Sequence, residues 1–130
     1  MTKNNMKKLL LIVEDELIVA KTMAEKLKAE GYDVITASDG LEGLKIAELE
    51  HPDLILLDLL LPKMEGMEVL SELRKDVWGK TVPVIILTNL SGVDGEKLCD
   101  VSELEPCYYL IKANESLQNV VDKIKEELGD

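Results

Sequence analysis

Short aliphatic runs alternate with longer stretches of helical periodicity five times along the chain. The runs occupy residues 9–13, 32–37, 54–57, 82–87 and 107–111. The first, third and fourth are almost continuously aliphatic, as in strands covered on both faces of a parallel sheet. The second is more polar and interrupted, which suits an edge strand. Between and after the runs, apolar residues recur at helical spacing. Ala20, Met23, Ala24 and Leu27 form the stripe of a first helix; Leu70, Leu73 and Val77 form that of a third. Leu117, Val120, Val121, Ile124 and Leu128 mark a fifth. A fourth helix, over 93–104, has only the partial stripe Leu98, Val101 and Leu104 after a glycine-rich approach, and reads as a weakly amphipathic surface helix or a mobile element.

Punctuation agrees with this periodicity. Gly31 stops the first helix, Asp39-Gly40 opens the second, His51-Pro52 closes it, and Gly79 ends the third. Pro83 falls near the start of the fourth strand, where a missing N–H is tolerated. Strand–helix alternation predicts an α/β fold: a (βα)5 doubly wound three-layer sandwich around a five-stranded parallel sheet. Residues 1–130 read as a single domain without repeats or linkers.

Composition narrows the function. The 130 residues suit one domain, and 46% hydrophobic with 32% charged residues is a globular balance rather than a disordered one. A formal net charge of −11 repels phosphate backbones and anionic headgroups, which argues against nucleic acid and membrane partners. No run approaches the roughly 20 apolar residues of a membrane span, and the basic start is followed by too short an apolar run for a signal peptide. The expectation is a cytoplasmic protein in which Cys99 and Cys107 are reduced thiols.

In open parallel sheets, ligands bind outside the carboxyl ends of the strands. Glu14 and Asp15 follow the first run, Asp58 the third, Thr88 the fourth and Lys112 the fifth. Three acids, a hydroxyl and an amine thus converge on one sheet edge. Clustered carboxylates repel one another, and a hard cation relieves that repulsion. All-oxygen ligation with room for water suits Mg2+. Asp58 is then a candidate nucleophile for an aspartyl phosphate, with Thr88 donating to one phosphoryl oxygen and Lys112 neutralising another.

This pattern resembles the receiver domain of two-component response regulators. The likeness rests on Glu14-Asp15, on Asp58 followed by Leu61-Pro62-Lys63-Met64-Glu65-Gly66, on Thr88, and on Tyr109-Leu110-Ile111-Lys112. It implies a flavodoxin-like strand order of 2-1-3-4-5, with Asp58 as phosphoacceptor. Asp15, Asp58 and the backbone carbonyl of Leu60 would bind Mg2+ directly and Glu14 through water. Thr88 and Lys112 would hold the phosphoryl group, and Tyr109 matches the aromatic that turns inward when Thr88 shifts. The implied donor is a sensor histidine kinase or phosphotransfer protein. The implied readout is a downstream partner or output domain on the face of the fourth helix, fifth strand and fifth helix. Such a protein is a phosphorylation-dependent switch, not an enzyme acting on external substrates.

Two positions depart from that family. Asn89 follows Thr88 where alanine or glycine is common, and Ala113 follows Lys112 where a cis proline is common. The single histidine, His51, precedes the third strand whereas Asp58 follows it, so it reads as a solvated loop residue and the donor must be another molecule. Trp78, at the end of the third helix, is placed near the edge opposite the acids. Competing readings are a Mg2+-dependent phosphohydrolase with an aspartyl nucleophile, a flavodoxin-like carrier, and a phosphorylation-independent binding module. The first wants a second acid two residues past the nucleophile, where Leu60 stands, and the second wants small donors where Glu14-Asp15-Glu16 stands.

Overall fold

A computed structural model describes residues 7–89 and 102–130. Five strands form one parallel sheet: β1 (Leu9–Val13), β2 (Asp33–Ala37), β3 (Leu54–Leu57), β4 (Val84–Thr88) and β5 (Cys107–Ile111), in the order β2-β1-β3-β4-β5. Val13 is opposite both Ala37 and Leu57, and Thr88 is opposite Ile111. The strands therefore finish nearly level, and the residue after each one reaches the same rim.

Alternate strand residues face opposite sides. Leu11, Val13, Ile55, Leu57 and Ile86 pack beneath α2 (Gly40–Glu50) and α3 (Gly66–Lys75). Leu10, Ile12, Leu54, Leu56 and Ile85 pack with Met23 and Leu27 of α1 (Leu17–Ala29) and with Val121 and Ile124 of the C-terminal helix (Leu117–Leu128). Asp39 opens α2 by accepting the Glu42 N–H at 2.7 Å, and Ser116 does the same for Asn119 at 3.0 Å in the C-terminal helix. Among the described residues, no helix is long and apolar enough to cross a membrane.

Several details differ from the sequence expectations. The fourth strand runs from 84 to 88, not 82 to 87, so Thr88 ends the strand rather than following it. Pro83 lacks an N–H, and its carbonyl takes the Ile55 N–H at 3.1 Å instead. Val77 lies beyond α3 and is 85% exposed; Val69 takes its place in the buried stripe. The fourth predicted helix falls outside the described residues except for a one-turn 3-10 helix at Ser102–Leu104. Cys107 is disulfide-bonded, so the expectation of reduced thiols fails there. His51 is more than a solvated loop residue: it closes α2 in a left-handed conformation and stacks on Trp78, ring centroids 4.5 Å apart. The stack places Trp78 at the edge where β3 begins.

Arg74 organises that edge, and nothing in the hydrophobic pattern announces it. Its guanidinium is buried and donates to the carbonyls of Gly79 and Val82 (2.7 Å each), Pro106 (2.8 Å) and Leu104 (3.0 Å). Burial pushes its pKa down to about 10, which leaves it charged at neutral pH. At the opposite rim, Gly66 opens α3 against the chain after β3: its N–H donates to the Leu59 carbonyl, and a methyl built there overlaps the Asp58 carbonyl.

Arg74→Met leaves four inward carbonyls without this donor and should lose at least about 3 kcal/mol in urea denaturation. Gly66→Ala should cost about 1–3 kcal/mol through backbone displacement beside Asp58. Adding Mg2+ should leave Trp78 emission unchanged, since the indole lies at the far edge.

Candidate functional site

Two of the rim acids are placed by the sheet itself. The Glu14 N–H donates to the Ala37 carbonyl (2.9 Å) and the Asp58 N–H to the Val13 carbonyl (3.1 Å), so the ladders carry on one residue past β1 and β3. Both side chains are buried, Glu14 at 2% and Asp58 at 7% exposure, whereas Asp15 stays exposed. One ligand oxygen from each of Glu14, Asp15 and Asp58 lies within 4.8 Å of the others.

Lys112 reaches into this cluster from the far side. It opens a one-turn 3-10 helix, Lys112–Asn114, directly after β5. Its ammonium pairs closely with Glu14 Oε1, lies 3.0 Å from Asp58 Oδ2, and is 3.6 Å from Glu16 Oε1. The other oxygens have their own donors: Glu14 Oε2 accepts the Glu16 N–H and Asp58 Oδ1 the Leu60 N–H, each at 3.1 Å. Burial raises the Glu14 carboxyl pKa, and the Asp58 charge adds to this; the Lys112 hydrogen bond and charge and the Glu16 N–H offset only part. For Lys112, burial pulls the pKa down, but hydrogen bonds and charge from Glu14 and Asp58 outweigh it and the net shift is upward.

Thr88 is fully buried at the end of β4. Tyr109 pairs with Ile86 and packs half-buried against the α2–α3 side of the core. Desolvation raises the pKa of its phenol, and the Asp58 charge raises it further. An open cleft of ≈ 220 Å³ is lined by Asp15, Glu16, Asp58, Leu60, Thr88, Asn89 and Lys112. The geometry thus gathers Asp15, Asp58, Leu60, Thr88 and Lys112 around one space, with Glu14 joined to it through Lys112 and Tyr109 outside its lining.

The donor set suits a hard divalent cation. It is all oxygen, it is crowded, and Lys112 balances one of three carboxylate charges, leaving two. The ammonium does not seal the site, because the exposed Asp15 carboxylate and the cleft remain open beside it. Such a donor set is compatible with Mg2+ that keeps part of its water.

Two residues here were not predicted as site residues. Glu16 continues the acidic run and lines the cleft. Asn89, noted in the sequence only as a departure, accepts the Ala113 N–H through Oδ1 at 3.1 Å. The loop after β5 is also now defined: the Lys112–Ala113 bond is trans, and the cis bond among the described residues is Glu105–Pro106.

The profile of the response regulator receiver domain matches residues 10–124. The chain is 34% identical over 125 residues to the polar-differentiation response regulator DivK of Brucella ovis, covering 96% of this chain and 99% of that protein. It is 44% identical over 87 residues to the probable transcriptional regulator ycf27 of Cyanophora paradoxa, covering 67% of this chain and 35% of that protein. The chain thus spans about a third of the length of the first curated relatives it matches. Its fold superposes on a CheY-like receiver domain protein from Methanospirillum hungatei with a TM-score of 0.83 at 30% identity, covering 95% of each chain. With the family profile matched over most of its length and a relative that it covers almost end to end, the chain belongs to the response regulator receiver domain family of two-component systems.

Proposed function

We propose that residues 1–130 form one receiver domain in which Asp58 accepts a phosphoryl group, with Mg2+, from a phosphohistidine on a sensor kinase or phosphotransfer protein. The observation that carries this reading is the Asp58 carboxylate, almost buried yet open to the cleft, with its two oxygens held by different donors. A carboxylate oxygen attacks phosphorus, the P–N bond of the donor breaks, and the imidazole leaves. Asp15, Asp58 and the Leu60 carbonyl would hold Mg2+ directly, and Glu14 through water. The ion supplies charge compensation for the phosphoryl oxygens when bound. Lys112 moves from pairing the Asp58 carboxylate to pairing a phosphoryl oxygen, and the Thr88 hydroxyl donates to another.

The functional consequence is a population shift. Taking an inactive-to-active ratio from 99:1 to 1:99 needs about 5.5 kcal/mol of differential interaction. Charge-assisted contacts from Lys112 and Thr88 to a dianionic group supply part of it. Inward turning of Tyr109, already half-buried beside this core, carries the change to a readout face on β5 and the C-terminal helix, where a downstream partner or output domain binds.

Incubation with acetyl phosphate and Mg2+ should add one phosphoryl group to the wild type by intact mass and none to Asp58→Asn; persistent labelling of that variant assigns the acceptor elsewhere. Asp15→Asn should weaken Mg2+ binding about 10–100-fold by calorimetry. The raised Glu14 pKa gives a pH signature. Its contribution to stability is complete below its ordinary value of 4.5 and is lost as pH rises through the folded value. In metal-free urea denaturation, wild-type stability should therefore fall relative to Glu14→Gln as pH rises above 4.5. Lys112, raised above 10.5, keeps its contribution through that window, so a difference independent of pH contradicts the Glu14 assignment.

A further inference from the structure

We propose that Asn89 is a positioning residue for Lys112, capping from the neighbouring strand the turn on which the lysine stands. This inference rests on the role given to Lys112 above. Because Thr88 and Ile111 are opposite each other at the ends of β4 and β5, Asn89 and Lys112 emerge side by side. Lys112 opens a 3-10 turn, and the first N–H groups of such a turn find no acceptor within it. The residue before the turn, Ile111, has no polar side-chain atom and provides no cap. Asn89 provides it instead, its Oδ1 accepting the Ala113 N–H at 3.1 Å. On its other side the turn is closed by a long bond, 3.3 Å, from the Glu115 N–H to the Lys112 carbonyl.

The two departures from the family pattern thus meet in one hydrogen bond. A proline after the lysine has no N–H to satisfy, whereas a trans Lys112–Ala113 bond presents one, and an amide acceptor occupies the position facing it. The contact joins the strand end that carries Thr88 to the turn that carries Lys112. Both of these line the same cleft as Asn89 itself. Lys112 must span from its backbone to Glu14 and Asp58 with a flexible side chain, so the place of its backbone decides where the ammonium sits.

The test compares wild type with Asn89→Ala, Asn89→Asp and Ala113→Pro. In the metal-free protein, Asn89→Ala should speed Ala113 amide exchange about five- to tenfold while the core amide of Ile86 is unaffected. Asn89→Asp, which keeps the acceptor oxygen, should restore slow exchange. Under acetyl phosphate and saturating Mg2+, the maximal phosphorylation rate of Asn89→Ala should fall about tenfold. In the Ala113→Pro background, where no N–H remains, adding Asn89→Ala should change that rate no further. Unaltered Ala113 exchange in Asn89→Ala, or an undiminished rate loss in the proline background, overturns the proposal. Should Ala113→Pro not fold, the exchange comparison of Asn, Asp and Ala at 89 decides it, and failure of Asp to restore protection overturns it. A wild type that takes no label, with Ala113 exchange still governed by Asn89, removes the phosphoacceptor reading but not the cap; normal labelling with exchange indifferent to Asn89 removes the cap alone.

Discussion

The repulsion among carboxylates brought to one sheet edge is the constraint around which the molecule is arranged. Two like charges about 4 Å apart repel by about 4 kcal/mol at a protein-like effective dielectric, and two of the three acids here are also withdrawn from water. A parallel sheet with level strand ends makes this crowding unavoidable once acids follow β1 and β3. Lys112, arriving from β5 on the other flank, relieves part of it by pairing Glu14 and Asp58 together. What remains is a deficit of positive charge beside an open cleft, an arrangement compatible with a divalent ion.

Holding such a deficit requires rigid surroundings. The sheet ladders extend into Glu14 and Asp58, and Leu60 and Glu16 return backbone N–H groups to the oxygens that Lys112 does not take. The close approach of Gly66 sets the path of the chain after Asp58. At the far edge Arg74 does comparable work with neutral partners, drawing the segments before β4 and β5 to the end of α3. The acidic rim and the basic clamp are kept apart by the length of the strands.

Much of this was legible in the sequence because hydrophobic periodicity reports burial directly. The aliphatic runs became strands nearly residue for residue, and Ala20, Met23, Ala24 and Leu27 all point inward as their spacing required. The rim residues were found because a parallel sheet makes the position after each strand special. Other features had no periodic signal. Arg74 sits in an apolar stripe as a charged residue, and its carbonyl partners come from turns that no pattern aligns with it. Val77 fitted the stripe by spacing, but α3 ends before it. His51 and Trp78 stack through a left-handed helix end whose partner lies 27 residues away in the chain. Asn89 and Ala113 were visible singly as departures, while their contact depends on strand pairing.

The far ends of the described chain hold one more consequence. Lys8, just before β1, donates to the Leu128 carbonyl and to the Asp130 carboxylate, which also accepts the Tyr32 hydroxyl at 2.7 Å. Residues 8 and 130 are thereby tied beside each other, and the described chain between them nearly closes into a ring. Convergence at the acidic rim comes from spatial adjacency of strands and owes little to the order in which they are threaded. A circularly permuted chain, joined across this tie and cut open in another surface turn, would present the same rim.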